Sequence, residues 1–177
     1  MPARTRSDAQ RNRAAILEAA TRLFETSDEV SIAEVAEEAG LTRTTLYRHF
    51  PDRDSLVDAV LVHVAAATLP TLLAEIERAP LAEALVLLAG GVVTLSHEHR
   101  HLIAATAHRF DDAARTAVDD EPIAQLLRRH ADLLAPGDVD WLARCVRALC
   151  LTAVSDPRPP EEVVVDLTAG LRRLVLA

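Results

Sequence analysis

The sequence predicts an all-α fold, and three observations carry that prediction. Apolar residues recur at helical spacings of three and four along the whole chain, and nowhere does the two-residue alternation of a strand take over. The interruptions are helix punctuation: Ala79-Pro80, Ala135-Pro136-Gly137 and Asp156-Pro157-Arg158-Pro159-Pro160. Ser, Thr and Asp stand just ahead of several apolar runs, where a side-chain oxygen can accept from the unpaired N–H groups of a first helical turn.

A first helix is expected from about Ser7 or Asp8 to Thr26, because Ile16, Ala20, Leu23 and Phe24 share one stripe; residues 1–7 read as a flexible basic arm. Ser31-Ile32-Ala33-Glu34 has the form of a capping box, and Ile32, Val35, Ala36 and Ala39 supply the apolar face of a short second helix. Gly40 suits the left-handed residue that closes it, and Thr42 is a good N-cap for a third helix reaching about His49. Asp52 and Asp54 precede Leu56, Val57, Val60, Leu61 and Val64, the start of a longer fourth helix. Pro70 lacks an N–H and crowds the turn before it, so a kink is expected there. Further helices are expected over 81–95, 97–109, 112–134, 138–155 and 161–176.

Composition narrows the chemistry. The 177 residues are half apolar and 26% charged, a globular balance with enough apolar mass for one sizeable core. All 19 basic residues are Arg, which excludes a P-loop lysine, a pyridoxal Schiff base and a lysine nucleophile. Cys145 and Cys150 have no second Cys/His pair at zinc-finger spacing, so no disulfide framework, metal site or cofactor is expected, and a reducing, cytoplasmic setting is. Glu18 and Arg22 cut the stretch that would be the apolar part of a secretion signal. The most apolar run, Ala84 to Leu95, is short of the roughly 18 to 20 residues a bilayer demands, so no membrane span is expected.

The informative segment is 31–54. A helix that enters the major groove must be short, amphipathic and lined outward with hydroxyls and donors instead of carboxylates. Thr42-Arg43-Thr44-Thr45-Leu46-Tyr47-Arg48-His49-Phe50 meets this: Leu46 and Phe50 anchor one side, and no acid occurs in the run. The chain is net −8, yet residues 1–13 hold four Arg against Asp8, and residues 42–53 hold three Arg against Asp52. Such ends attract DNA locally, because electrostatic steering is felt over only about 8 to 10 Å at ordinary salt.

The run from Ser31 to Leu56, SIAEVAEEAGLTRTTLYRHFPDRDSL, follows Ile16-Leu17-Glu18-Ala19-Ala20 and Leu23-Phe24. Together they closely resemble the N-terminal DNA-binding domain of the tetracycline-repressor (TetR) family, over about residues 10–61. The resemblance implies a helix-turn-helix head, residues 1–54, and a C-terminal helical bundle, 55–177, that binds a small-molecule effector and dimerises. It implies a homodimeric regulator, not an enzyme, usually a repressor, that binds double-stranded DNA at a palindromic operator. Carried over by position, Arg43, Thr44 and Thr45 are the base-edge candidates, and Tyr47, His49 and Arg53 the phosphate contacts, with Ser31 and Thr42 at helix N-termini. Tyr47 has a core alternative, Ser31 and Thr42 have plain capping alternatives, and Arg48 is either a DNA contact or a solvated side chain. Two departures stand out: Arg53 replaces the family's usual lysine, and the link Thr26–Val30 lacks the glycine often found there.

The C-terminal part is acidic. Residues 1–55 carry ten acids against eight Arg, which leaves a net −6 for the rest. Leu142, Cys145, Val146, Leu149 and Ala153 form one stripe, and Val163, Val164, Leu167, Leu171, Leu174 and Val175 another. Two such helices are half of a four-helix bundle that a two-fold copy completes. An effector site is expected among helices 81–134, near His97, His101 and His108. His97 and His101, four apart, share a helix face, while Ser96 reads as the cap of their helix. Gly90-Gly91 inside an apolar helix costs about 1 kcal/mol per residue against Ala, which close packing or an approaching ligand can justify. Trp141 reads as bundle core or interface. Other classes left open are an activator or ligand-independent regulator, a helical dimerisation module, and a small enzyme with His101 or His130 as base and Cys145 or Cys150 as nucleophile.

Overall fold

A computed structural model describes residues 3–106, 120–134 and 136–176. The helices are α1 (Ala3–Phe24), α2 (Ile32–Glu38), α3 (Arg43–His49), α4 (Arg53–Arg78), α5 (Leu81–Glu98), α6 (Arg100–Ala105), α7 (Glu121–Arg129), α8 (Val139–Val154) and α9 (Pro160–Val175), with a 3-10 turn at Ala131–Leu133. Among the described residues the sole β feature is an isolated antiparallel bridge between Leu134 and Leu176. The fold is all-α, as the periodicity requires. His108 and parts of the expected helices 97–109 and 112–134 lie outside the described residues.

Contacts divide the chain into two compact units, with one division falling at Ala65 inside α4. The first unit is built on α1, α2, α3, the opening turns of α4, and α6. Its core joins Ile16, Ala20 and Phe24 of α1, Val35 of α2, Leu46, Phe50, and Leu56, Val57 and Val60 of α4. Leu102 and Ala105 of α6 complete it, two residues that local periodicity does not connect to this head. Burying a side chain as fully as Leu46 or Leu102 contributes about 1.5 to 3 kcal/mol, so α6 is part of what holds the unit together. Helix α1 starts at Ala3, so residues 3–7, expected as a flexible arm, continue the first helix.

The second unit packs α9 against α5 and α8, and α7 against α8. Leu81, Leu85, Leu127, Val146, Leu171 and Val175 are almost wholly buried in its core. Asp138 caps α8 by accepting from the Trp141 N–H at 2.6 Å. An Arg147–Asp120 ion pair at 2.6 Å ties α8 to the residue before α7. The buried face of α8 is Ala143, Val146, Cys150 and Ala153; Leu142, Cys145 and Leu149 of the expected stripe are only half-buried, so the face is rotated from the one that periodicity picked. Trp141 is 62% exposed and Val165 67%, which removes the single-chain core as a home for that indole.

Helix α4 continues through Pro70 to Arg78. A Cβ on Gly91 would stand 2.4 Å from Leu72 Cδ1, whereas one on Gly90 meets nothing within 4 Å. Close packing of α4 on α5 therefore accounts for Gly91 and not for Gly90. By length and composition α4 and α5 are both apolar enough to span a bilayer, each a longer stretch than the run Ala84–Leu95. In α5 that apolarity is used inward, with Leu81, Ala84, Leu85, Leu88, Ala89 and Val93 buried.

Candidate nucleic-acid interface

The helix-turn-helix is assembled from local hydrogen bonds. Ser31 and Glu34 make a reciprocal box: the Glu34 N–H donates to Ser31 Oγ at 3.2 Å, and the Ser31 N–H donates to Glu34 Oε2 at 2.9 Å. The Ser31 hydroxyl donates to the same carboxylate at 2.6 Å. These bonds hold the Glu34 carboxyl below its ordinary range, because they favour the charged acceptor. Gly40 takes φ +65°, the left-handed conformation that ends α2, and the Leu41 N–H closes back onto the Ala36 carbonyl at 2.8 Å. Thr42 then caps α3, accepting from the Thr45 N–H at 3.2 Å while the two threonine hydroxyls share a bond at 2.9 Å.

This geometry sorts the candidate residues. Arg43, Thr44 and Arg48 are exposed on α3, and Tyr47 is 50% exposed, so it is a surface aromatic and not core. Thr45 is half-buried with its hydroxyl engaged by Thr42, and Ser31 has its hydroxyl spent on the capping box. To meet a phosphate, either hydroxyl would have to exchange its present partner. Across α3 the outward surface contains arginines, hydroxyls and one phenol with no carboxylate, and Leu46 and Phe50 face the core.

Behind the recognition helix lies a basic cluster of Arg13, Arg48 and His49. The Arg13 guanidinium sits 5.3 Å over the Phe50 ring, which joins α1 to the residue that caps the end of α3. His49 is half-buried, and its Nε2 is enclosed without a protein partner. Burial first, then the nearby Arg48 and Arg13 charges, hold its imidazole below the usual histidine range. An anion brought to this corner would reverse that direction, since it favours the charged ring. On the other flank, Arg22 of α1 pairs with Glu38 of α2 at 3.1 Å.

Arg53 behaves differently from a freely presented phosphate ligand. Its Nε donates to the Val30 carbonyl at 2.9 Å, its Nη2 to the Asp28 carbonyl at 2.5 Å, and the guanidinium lies 6.0 Å over the Phe24 ring. The side chain thus laces the first turn of α4 to the α1–α2 link.

Two of the effector candidates are described, and they do not lie on one helix. Helix α5 runs to Glu98 and α6 begins at Arg100, so His97 and His101 stand on different helices and do not share a face. The break is at His99, whose φ of −108° and ψ of 25° leave the helical region. Ser96 lies inside α5, its hydroxyl donating to the Val93 carbonyl at 2.8 Å, and caps nothing. Among the described residues no group of three potential metal ligands forms. Burial pushes the Cys150 thiol up to about 12, which keeps it protonated and inert and disfavours an enzyme reading built on that sulfur.

Residues 16–60 match the family model described as bacterial regulatory proteins, tetR family. Over 63 residues the chain is 43% identical to the HTH-type transcriptional regulator TtgR of Pseudomonas putida, covering 34% of this chain and 30% of that relative, so the match spans under a third of the relative's length. Solved structures are similar over nearly the whole chain. A tetR-family transcriptional regulator from Mesorhizobium loti has a TM-score of 0.65 at 20% identity, covering 96% of this chain and 98% of its own. LfrR from Mycobacterium smegmatis, in complex with proflavine, has 0.59 at 23%, covering 95% and 98%. At these identities the structural likeness speaks for the fold.

Proposed function

We propose, from the match of residues 16–60 to the tetR family of bacterial regulatory proteins, that this chain is a sequence-specific DNA-binding transcriptional regulator, a homodimeric repressor that leaves its operator when a small apolar or amphipathic effector binds. One observation carries the reading: a capped, seven-residue recognition helix presents Arg43, Thr44, Tyr47 and Arg48 to solvent without a single acid. Arg43, in the first turn, is the residue we assign to a base edge, with guanine O6 and N7 its natural bidentate target. Thr44 and Thr45 flank it, and Tyr47, Arg48 and His49 are assigned to the phosphate backbone.

Exposed Trp141 and Val165, with half-buried Leu142, Cys145 and Leu149, support a two-fold partner on α8 and α9. Such a dimer would set two recognition helices about 34 to 36 Å apart, on successive major-groove faces of a palindrome. Helix α4 supplies residues to both compact units, so a ligand that displaces it would alter the heads' fit to that spacing. A coupling of about 1 to 3 kcal/mol would change operator affinity roughly 5- to 150-fold. Proflavine in one structural neighbour supports a small-molecule effector, and His97, His101 and His108 remain the candidates to meet it.

The test is a mobility shift with the promoter region beside the protein's own gene, at two salt concentrations and against a scrambled duplex. Sequence-selective retention is the expected result. Equal binding of both duplexes, or none, would leave a helical dimerisation module as the better description.

A further inference from the structure

We propose that Arg53 is a positioning residue: it acts on DNA binding by clamping the link that enters α2, and so sets the angle of the helix-turn-helix. The proposal rests on the DNA-binding reading for its consequence, though not for its geometry. The link between α1 and α2 has no glycine and no helix of its own; local bonds hold it, such as Thr26 Oγ1 to the Leu23 carbonyl at 3.3 Å and the Glu29 N–H to Ser27 Oγ at 3.1 Å. None of these ties it to the helices that follow. Arg53 does, across 23 and 25 residues of chain, through the carbonyls of Val30 and Asp28.

The residue type matters. Two carbonyls two residues apart meet two nitrogens of one planar fork, while the flat face of that fork covers Phe24. A lysine ammonium is a compact point charge with no plane, so it cannot engage both carbonyls and stack at once. Val30 is buried beneath the clamp and is followed directly by Ser31, the N-cap of α2. Arg53 is also the first residue of α4, which α3 leads into through Phe50, Pro51 and Asp52. The clamp therefore joins the entrance of α2 to the exit of α3, the two ends of the DNA-reading motif, and complements the Arg22–Glu38 pair at the far end of α2.

The experiment compares Arg53→Lys, Arg53→Ala and the exposed control Arg48→Ala in the full-length protein, by amide hydrogen exchange at residues 28–35 and by the salt dependence of binding to a labelled promoter duplex. The clamp predicts that Arg53→Lys, despite its unchanged charge, speeds exchange in that segment roughly tenfold, as loss of one or two hydrogen bonds to a charged donor would. It also predicts weaker DNA binding with an unaltered log-log salt slope, while Arg48→Ala leaves exchange untouched. If Arg53→Lys matches the wild type in exchange and affinity, and Arg53→Ala only flattens the salt slope by about one unit, Arg53 is a phosphate ligand and the clamp is refuted. Should even the wild type ignore DNA, the regulatory reading fails on its own, and the exchange data alone still decide the clamp.

Discussion

The adjacent glycines of α5 give a sharp test of the packing that joins α4 to α5. In mid-helix, replacing glycine by alanine gains about 0.8 to 1 kcal/mol, since alanine has less backbone freedom to lose. At Gly90 a new Cβ meets nothing within 4 Å, so Gly90→Ala is expected to stabilise by about that amount. At Gly91 the same atom lands 2.4 and 2.6 Å from the two Leu72 methyls and 3.1 Å from Leu72 Cγ. Carbon atoms prefer separations of about 3.5 to 4 Å, so the whole branched end of Leu72 must retreat. Overpacking costs about 1 to 3 kcal/mol in a closed core, and because Leu72 is half-buried and can swing partly aside the low end applies, about cancelling the propensity gain. The two variants should differ by about 1 kcal/mol, with Gly91→Ala the less stable. For a chain of this size each kcal/mol moves the melting temperature about 2 to 4 °C, so side-by-side thermal scans followed by far-UV circular dichroism resolve the gap. Leu72→Ala supplies the internal check: it should cost less in the Gly91→Ala background than alone, because it removes the clashing atoms. If Gly91→Ala proves as stable as Gly90→Ala, the close approach is not what keeps a glycine there, and the reasoning fails.

Three further outcomes are expected. Arg43→Ala should cost about 1 to 3 kcal/mol against the preferred operator and relax selectivity at one base pair, whereas Arg48→Ala should weaken all duplexes alike; binding titrations on single-base operator variants would contradict the assignment if the two residues exchanged behaviours. Ser31→Ala should lose about 1 kcal/mol of stability in urea unfolding, with Glu34→Gln losing less because an amide can still accept from the Ser31 N–H; no change in either variant would mean that the capping box contributes nothing. For His49 the folded pKa lies below the unfolded one, so the unfolded chain binds more protons as pH falls through the window beneath about 6.5, and stability drops there. Unfolding free energies measured between about pH 7 and pH 5 should fall less for His49→Gln than for the wild type; parallel curves would show that the ring carries no such linkage.

Much of the head was legible because its signals are short-ranged. A capping box, a left-handed glycine and a threonine N-cap act over three or four residues, so Ser31, Glu34, Gly40 and Thr42 announce their roles in order along the chain. The site itself was legible as residue types on a helix of known faces, which is why Arg43, Thr44, Tyr47 and Arg48 emerge exposed. The break expected at Ser96 lies three residues later, at His99: no Gly or Pro marks the spot, and the Ser96 hydroxyl turns back onto the Val93 carbonyl instead of capping a new helix.

From the sequence alone come the helical class, the boundaries of α2 and α3, and the acid-free surface that α3 offers, since backbone capping and the 3.6-residue period belong to a segment and its immediate neighbours. The tertiary structure alone decides that Arg53 grips two distant carbonyls, that Leu102 belongs to the head, that Gly91 makes room for Leu72, and which side of α8 is buried. Each of these is a contact between residues far apart in the chain. Its identity depends on how whole helices are packed, which no local pattern encodes.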